Sequence, residues 1–377
     1  MIGRSSRHHR PSSRSGPDQS PRFVMCFTSL AQYRAPTMQV VASELGDELS
    51  IYTGTSAYEP GIRLIDAKSI HATSIRNHFG RGGLLFQSLP WRTLLTCRVL
   101  LMDLNPRVVH AWPVLLIRKA LGRPTLLWGH AWPRAGRESA SERLRGLMRG
   151  LASHLVSYTY TQAEELRDAH PGKPVTAAPN ALYRADRFVF DHSPAPRHRL
   201  LYVGRLVSSK KPDLLVPAFE SVAEAFPDLV LTIVGDGPVL DEIRARAAAS
   251  PHRDRIEILG HISDYDALRT LYASAVVSLS PGYLGLSAVQ SFTFGVPMII
   301  SRDEPHAPEI EAATVGRNCR YFETGRPQSL SDAIVDMVSS RQQWSAAGPR
   351  IVQDCKELYS VEQMSLGLVT AMREAGS

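Results

Sequence analysis

Cysteine is scarce in this sequence, and the few cysteines are not placed for chemistry. The chain of 377 residues has four, which lie far apart at Cys26, Cys97, Cys319 and Cys355. None forms a CxxC pair, which excludes the usual spacing of a zinc site or of a disulfide framework. Such cysteine usage fits a reducing compartment, so we expect a cytoplasmic protein.

Long uninterrupted hydrophobic runs are also missing. One stretch from Thr270 to Ser301 has no Asp, Glu, Lys or Arg, which is long enough to raise the question of a transmembrane helix. Pro281, Pro297 and several glycines and serines interrupt this stretch. We therefore predict that it forms a buried strand, a loop, a buried helix and a second buried strand.

The sequence has no familiar set of residues for nucleophilic catalysis. No Ser/His/Asp or Cys/His arrangement has a recognisable spacing, and no Walker-type Gly-Lys-Ser/Thr occurs. Asp264-Tyr265-Asp266 has the form of an Asp-x-Asp metal motif. Because it follows Ser263 at a predicted helix start, where acids cap the helix, we expect no metal site there.

Positive charge is concentrated in the first half of the chain. Residues 1–190 hold 25 Lys and Arg against 13 Asp and Glu, the remainder holds 18 against 23, and the net charge is +7. A basic half indicates an anionic partner, either a membrane leaflet or a nucleic acid. No nucleic-acid recognition motif accompanies the charge, so we expect no nucleic acid partner.

Part of this excess lies in residues 1–22, which contain five arginines among Ser, His and Pro. The segment has no apolar stretch, so we expect a disordered basic tail and no secretory signal. Its composition is like that of a transit peptide, and a misassigned start codon or a basic arm explains it equally well.

Apolar strands alternate with helical stretches along the rest of the chain, which predicts parallel sheets covered on both faces and an α/β fold. We expect strands at 23–27, 49–52, 108–111, 125–128, 156–158, 199–203, 229–234, 256–259, 276–280 and 297–300. We expect helices at 37–45, 91–103, 138–152, 163–169, 211–226, 238–249, 264–273, 286–294, 328–340, 342–356 and 360–374.

The segment from Asn180 to His198 lacks periodicity and contains two prolines, which is typical of a domain connection. We predict an N-terminal domain over 23–182, a linker over 183–198 and a C-terminal domain over 199–357. A last helix over 358–377 is expected to pack back on the N-terminal domain. Two doubly wound, Rossmann-like domains would then face each other across a cleft at the carboxyl ends of their strands.

Three strand-to-loop junctions in the second half are rich in glycine. They are Gly204-Arg205 followed by Lys210, then Gly235-Asp236-Gly237-Pro238, then the segment 280–290 followed by Gly295-Val296-Pro297. Two cations together with the amides of a helix start form a diphosphate site at this edge of a sheet. Taken alone, an Arg-x4-Lys pair is more often a solvated surface pair.

The remaining motifs also have structural explanations. Asp236 could simply cap a helix in whose first turn Pro238 lies, and Gly285 could serve only close packing of a helix on a strand. His130 follows a predicted strand and could act on a substrate, whereas a lone histidine is more often structural. The same holds for His110.

In this order, the motifs resemble those of the retaining nucleotide-sugar glycosyltransferases of family 4, also called glycosyl transferases group 1, which have the two-domain GT-B fold. That family's pattern runs Val-Gly-Arg-Leu…Lys, Val-Gly-Asp-Gly-Pro, Leu-Gly, a Glu-x7-Glu element and Cys-Gly-Val-Pro. Leu259-Gly260 matches the third element here, and Pro179-Asn180-Ala181 resembles the Pro-Asn-Gly that closes the first domain. The resemblance covers roughly residues 175–325.

The resemblance implies a metal-independent transferase without a cofactor, which uses a nucleotide-diphosphate sugar as co-substrate and a glycan or a lipid-linked molecule as acceptor. It implies a role in cell-surface polysaccharide or glycoconjugate assembly. It also implies a donor site and a catalytic histidine near the transferred sugar. The donor-site residues would be Gly204, Arg205, Lys210, Asp236, His261, Ile262, Gly285 and Leu286, with His130 beside the sugar.

The sequence departs from the family at the Glu-x7-Glu element, whose two positions are Gly282 and Gln290. Gln290 keeps an oxygen that can accept from ribose hydroxyls, whereas Gly282 cannot replace a carboxylate beside the sugar. Glu309 is a nearby carboxylate that could compensate, or simply an acid at a helix start. Two functions stay open: a transferase with an altered motif, and a catalytically impaired nucleotide-sugar-binding or scaffold protein.

The predicted helix at 138–152 is amphipathic. Arginines alternate in it with apolar residues that include Leu144, Leu147, Met148 and Leu151. This pattern is typical of a helix that lies on a membrane surface, so we expect a peripheral contact at the cytoplasmic membrane face. A solvated helix on a soluble domain explains the pattern equally well.

Overall fold

The computed structural model describes residues 21–58, 63–133, 136–192 and 197–377. Nearly all of the predicted basic tail, and residues 193–196 of the predicted linker, lie outside the described residues.

The strands run in chain order through both halves. They are β1 (Phe23–Phe27), β2 (Leu49–Gly54), β3 (Thr73–Ile75), β4 (Asn77–Phe79), β5 (Leu85–Gln87), β6 (Val99–Asp103), β7 (Thr125–Gly129), β8 (His154–Ser157), β9 (Val175–Ala177), β10 (Arg199–Val203), β11 (Val230–Val234), β12 (Ile256–Gly260), β13 (Ala275–Ser280), β14 (Met298–Ser301) and β15 (Cys319–Phe322).

The α-helices alternate with these strands and then close the chain. They are α1 (Ala35–Leu45), α2 (Trp91–Thr96), α3 (Ala111–Ala120), α4 (Ala140–Leu151), α5 (Tyr160–Ala169), α6 (Leu215–Ala223), α7 (Leu240–Ala249), α8 (Tyr265–Ala273), α9 (Ser287–Thr293), α10 (Pro327–Ser339), α11 (Arg341–Tyr359) and α12 (Val361–Gly376).

Two parallel sheets form the frame of the molecule. The first has the order β3-β2-β1-β6-β7-β8-β9 and the second has the order β12-β11-β10-β13-β14-β15, while β4 and β5 form a separate antiparallel hairpin. In each large sheet the order reverses beside the first strand of that half, which is the topological switch point where open α/β sheets bind ligands. The predicted α/β fold with two Rossmann-like halves is therefore confirmed.

The central strands are apolar on both faces because helices cover both. Phe23, Met25 and Phe27 of β1 point into one buried core, and Val24 and Cys26 point into the other. Each fully buried side chain of this size contributes roughly 1.5–3 kcal/mol. Uninterrupted apolar strands of this kind are what the sequence predicted for a doubly wound sheet.

The last helix, α12, packs on the N-terminal half of the molecule. Met364, Leu368 and Met372 are fully buried in the core that contains β1 and α1. Gly367 permits this approach, because a Cβ there would lie 2.2 Å from the carbonyl oxygen of Ala177. The chain therefore crosses between the two halves twice, and its last segment is part of the first core.

Two predicted elements were wrong. The stretch 91–103 is not one helix, since α2 ends at Thr96 and residues from Val99 form β6 in the centre of the first sheet. The predicted strand at 108–111 is only a bridge between Val108 and Leu85, after which α3 begins at Ala111. Short apolar runs have no periodicity that distinguishes a buried strand from a buried helix. The secondary structure of such a run depends on where it lies in the tertiary fold.

Candidate functional site

The carboxyl edge of the second sheet gathers the three glycine-rich junctions. Adjacent strand ends are held together by backbone hydrogen bonds, with the Gly204 N–H donating to Val234 at 3.0 Å and the Gly235 N–H donating to Gly260 at 2.8 Å. The loop after β10 and the loop after β13 meet at the switch point of this sheet. The expected diphosphate-binding residues therefore share the edge at which this architecture binds anions.

Close backbone contact explains the glycines after β11. A Cβ on Gly235 would lie 1.9 Å from the Gly204 oxygen, and one on Gly237 would lie 2.3 Å from the Leu206 oxygen. Asp236 is exposed, and its side chain accepts from the Gly237 N–H at 2.7 Å. Because α7 begins only at Leu240, neither the cap assigned to Asp236 nor the helical position assigned to Pro238 is correct.

Among the cations at this edge of the second sheet, Lys210 is the one whose position and pKa depend most on neighbouring residues. Its Nζ donates to the Tyr283 carbonyl at 3.0 Å and lies 5.6 Å from the centre of the Tyr283 ring. Burial lowers the pKa of Lys210 to about 8, helped by the charge of Arg205 and opposed by Glu309. Arg205 itself is exposed. Two neighbouring cations, one of them largely desolvated, form a site that an anion would stabilise.

The loop after β13 packs tightly against the loop that carries Lys210. The Tyr283 N–H donates to the Ser209 carbonyl at 2.9 Å. A Cβ on Gly282 would lie 2.6 Å from that same oxygen and 2.7 Å from the Lys210 carbonyl carbon. Position 282 therefore has no room for a side chain in this arrangement of the two loops.

His306 is a neutral imidazole that holds the loop after β13 in place through two hydrogen bonds. Its Nδ1 accepts from the Leu284 N–H at 3.0 Å, and its Nε2 pairs with the Ser301 carbonyl at 2.8 Å. Since a carbonyl only accepts, Nε2 carries the proton and Nδ1 is free to accept. Burial lowers the pKa of His306, which favours this neutral form.

The remaining expected residues differ in exposure. His261 is exposed after β12, whereas Ile262 is half-buried and packs against the small core that includes Leu201 and Val234. Gln290 on α9 donates from Nε2 to the Tyr183 hydroxyl at 3.3 Å. Gly285 and Leu286 are half-buried just before α9 begins. All of them lie at the carboxyl edge of the second sheet.

Asp264 has the capping role expected of it. Its side chain accepts from the Ala267 N–H at 2.9 Å at the start of α8. Across the part of the chain that the structure describes, no three or more His, Cys, Asp or Glu side chains gather as a metal site would require.

Two glutamates on the turn Pro308–Ala312 join the halves of the molecule. Glu309 is buried, accepts from Asn180 Nδ2 at 2.9 Å through Oε1, and has no hydrogen bond at Oε2 within the described residues. Glu311 accepts from the first two N–H groups of α5, at 3.0 Å from Tyr160 and 2.5 Å from Thr161. Both carboxylates thus bind the N-terminal half, and Glu309 also lies close enough to Lys210 to favour its charged form.

A cleft of about 1190 Å³ separates the carboxyl edges of the two sheets. His130 lines its N-terminal wall, and Tyr283 and His306 line its C-terminal wall. The His130 ring contacts Tyr158 edge-on, with centroids 4.9 Å apart. His130 therefore lies across the cleft from Tyr283, whose carbonyl accepts a hydrogen bond from Lys210. The other expected site residues do not line this cleft and lie along the neighbouring edge of the second sheet.

Asp103 is a cleft residue that the sequence reasoning missed. It ends β6 at the switch point of the first sheet, lines the cleft, and accepts from the Thr28 N–H at 2.5 Å. Burial raises its pKa. An apolar run that ends in aspartate is the signal that would have identified it, but the stretch was assigned to a helix.

Comparisons with known proteins agree with this architecture. Residues 187–350 match the protein family described as glycosyl transferases group 1. This segment is a glycosyltransferase group 1 domain.

Curated relatives match the same kind of segment. A GDP-mannose-dependent alpha-(1-6)-phosphatidylinositol dimannoside mannosyltransferase of Mycobacterium tuberculosis (strain ATCC 25177 / H37Ra) is 34% identical over 143 residues, which are 37% of this chain and 35% of that protein. One component of the human phosphatidylinositol N-acetylglucosaminyltransferase is 30% identical over 167 residues, which are 39% of this chain and 34% of that protein. The match thus spans about a third of the length of these relatives.

Solved structures match over nearly the whole chain. Anabaena HepE in complex with UDP has a TM-score of 0.68 at 13% identity, covering 94% of this chain and all of that one. Sucrose-phosphate synthase of Thermosynechococcus elongatus has a TM-score of 0.64 at 16% identity, covering 94% of this chain and 98% of that one. The group 1 domain is therefore part of a GT-B architecture that includes the N-terminal half.

The surface around α4 combines apolar and basic residues. Leu144 and Leu147 are 50% and 61% exposed. Within the described residues, no helix is both long and apolar enough to cross a membrane.

Proposed function

We propose that this protein is a retaining, metal-independent glycosyltransferase of family 4. It would move a sugar from a nucleotide-diphosphate sugar to a glycan or lipid-linked acceptor in cell-surface polysaccharide or glycoconjugate synthesis. The observation that carries the proposal is the largely buried ammonium of Lys210 beside Arg205, at the switch point of the group 1 domain. The similar proteins support it, because they include a GDP-mannose-dependent transferase and a fold neighbour in complex with UDP.

Charge stabilisation at the leaving group is the step that these residues would perform. Negative charge develops on the departing nucleotide diphosphate as its bond to the sugar breaks, and fixed cations aimed at that point lower the barrier. Lys210 and Arg205, which follow β10 at the switch point of the second sheet, would provide these cations. The acceptor hydroxyl would attack from the face of the leaving group, and a phosphate oxygen would take its proton. No metal ion is needed for this charge balance.

The cleft would supply the acceptor side of the reaction. His130 stands on its N-terminal wall, where it can position an acceptor or sugar hydroxyl, and the aromatic Trp132 and Tyr158 also line that wall. Glu309 and Glu311 hold the two walls together through Asn180 and α5. Water would be excluded where the walls meet, which strengthens each charge interaction.

A second candidate function is a nucleotide-sugar-binding protein without efficient catalysis. Gly282 favours it, because the packing against Ser209 leaves no space for the carboxylate that the family places beside the sugar. Such a protein would bind the nucleotide sugar at Lys210 but would neither transfer the sugar nor hydrolyse its bond to the nucleotide.

Incubation with a panel of nucleotide-diphosphate sugars in EDTA, with and without acceptors, tests the two candidates. We expect binding, seen as a rise in Tm, together with release of the nucleoside diphosphate by the transferase. Binding with neither hydrolysis nor transfer would favour the second candidate. Absence of binding to every nucleotide sugar would reject both.

We also propose that the protein contacts the membrane surface through α4. The exposed Leu144 and Leu147 and the positive charge of the N-terminal half support this contact. We expect the protein to float with vesicles of anionic lipid at low salt and to be released at high salt. Absence of flotation at low salt would remove the membrane contact from the account.

A further inference from the structure

Arg145 of α4 is held in the N-terminal wall of the cleft. Its Nη1 donates to the Leu104 carbonyl at 2.8 Å and to the His130 carbonyl at 3.0 Å. These two bonds fix the position of the guanidinium, because the carbonyls belong to the loops that follow β6 and β7. Arg145 thus holds a fixed cation in the cleft wall, bonded to the backbone of the histidine expected at the sugar.

The neighbouring arginines of this wall have acidic partners. Arg149 pairs with Glu142, and Arg137 pairs with Glu165 at 2.6 Å. Arg145 differs from both, since no described carboxylate lies within ion-pair distance of it. Its Nε is buried and has no hydrogen bond to any described residue. A desolvated donor without an acceptor is destabilising.

A second unpaired arginine lines the same wall. Arg107 follows β6, is exposed to the cleft, and makes no ion pair with a described carboxylate. Burial lowers the pKa of Arg145, and the charges of Arg149 and Arg107 add to that effect, while Glu142 and Tyr158 oppose it. Like charges that are kept together in a partly buried wall destabilise the empty protein, and a bound anion would remove that cost.

We propose that Arg145 and Arg107 form an anion subsite for a phosphate group of the acceptor. Two cations that form no ion pair with a described carboxylate match a group that carries between one and two negative charges, as a phosphate monoester does. An arginine whose Nε edge has no protein acceptor suits the bidentate geometry of phosphate. The proposal rests on the proposed transferase function only in calling the ligand an acceptor, since the binding of phosphate is independent of catalysis.

Binding of inorganic phosphate, followed by titration calorimetry, tests the subsite. The measurement is made on the Lys210→Met, Arg205→Gln double variant so that the diphosphate site does not contribute. We expect phosphate to bind this protein and the Kd to rise about tenfold or more when Arg145→Gln or Arg107→Gln is added. Arg76→Gln is the matched control, because this exposed arginine of the same domain does not line the cleft.

The outcomes separate the subsite from the transferase. Loss of phosphate binding in both cleft variants, with Arg76→Gln unchanged, supports the subsite even if no transfer is ever observed. Equal Kd values in all variants, or no phosphate binding at all, would overturn it. If Arg145→Gln does not fold, Arg107→Gln alone decides between these results.

Two competitors of inorganic phosphate distinguish a lipid headgroup from a free phosphate ester as the natural ligand. Displacement of inorganic phosphate by phosphatidylcholine vesicles that contain phosphatidic acid, but not by vesicles of phosphatidylcholine alone, identifies a lipid headgroup. Displacement by soluble glycerol phosphate without any vesicle effect identifies a free phosphate ester. Both results uphold the subsite, and displacement by neither would contradict it.

Discussion

Replacement of Lys210 by methionine is expected to lower kcat/KM for the donor by about a hundredfold or more, with the fold intact. Removing one group that is aimed at the charge of a transition state costs two to three orders of magnitude in other enzymes. Methionine keeps the stem that packs beside Gly204, since Lys210 Cδ lies 3.7 Å from the Cβ position of that glycine. Initial rates of nucleoside diphosphate release measure the effect.

The same lysine predicts a pH dependence of donor binding. The lowered pKa of Lys210, about 8, means that its ammonium is lost as the pH rises through that value. We therefore expect the KM for the donor to rise above about pH 8 in the wild type and to stay flat in Lys210→Met. Lys68→Met, at an exposed lysine of the N-terminal half, should behave as the wild type. Wild-type rates in Lys210→Met would reject the role of this cation.

Restoring the glutamate of the family pattern, by Gly282→Glu, is expected to damage the protein. A side chain at this position would overlap the Ser209 oxygen and the Lys210 backbone, which lie 2.6 and 2.7 Å from the Cβ position. The loop that positions Lys210 would have to move. We expect a loss of about 3 kcal/mol or more in the free energy of unfolding, together with most of the transfer activity.

Urea denaturation measures that loss, and Gly150→Glu is its matched control. Gly150 lies on α4 with nothing within 4 Å of its Cβ position, so the same substitution should change stability little. A Gly282→Glu variant with wild-type stability and faster transfer would contradict the packing argument. It would mean that the loop moves easily and that the carboxylate is what the enzyme lacks.

The fold could be predicted where backbone chemistry restricts the choice of residue. Gly235 and Gly237 are needed because the neighbouring strand end comes within 2.3 Å of their Cβ positions, so a glycine-rich junction marks the carboxyl edge of the sheet. Apolar strands such as β1 and β10 were predicted with the bounds that the structure gives them. The carboxyl edge of the second sheet could therefore be predicted from the sequence.

The cleft was less predictable because its residues come from distant segments. Asp103 and Arg145 lie 42 positions apart and meet only through the order of β6, β7 and α4 in the first half. The pairing of Glu142 with Arg149 rather than with Arg145 depends on side-chain geometry that spacing does not reveal. The sequence predicts that Gly282 lacks a catalytic carboxylate, and the structure adds that a side chain at this position would overlap the backbone of Ser209 and Lys210.

Tertiary contacts also change the interpretation of the role of Glu309. The sequence suggested a substitute for the carboxylate missing at position 282, or an acid at a helix start. The structure instead shows one of its oxygens bound to Asn180 at 2.9 Å, across the junction of the two halves. The other oxygen is buried without a described partner. A contact between Glu309 and the sugar remains a prediction, while its contact with Asn180 is a feature of the fold.

The central claim is that a nucleoside diphosphate group binds at Lys210, on the carboxyl edge of the second sheet. Titration calorimetry with UDP and GDP in EDTA, on the wild type, Lys210→Met and Lys68→Met, tests it most directly. We expect at least one of the two nucleotides to bind the wild type and Lys68→Met alike, and to bind Lys210→Met at least tenfold more weakly. Equal affinity of all three proteins for every nucleotide that binds would contradict it.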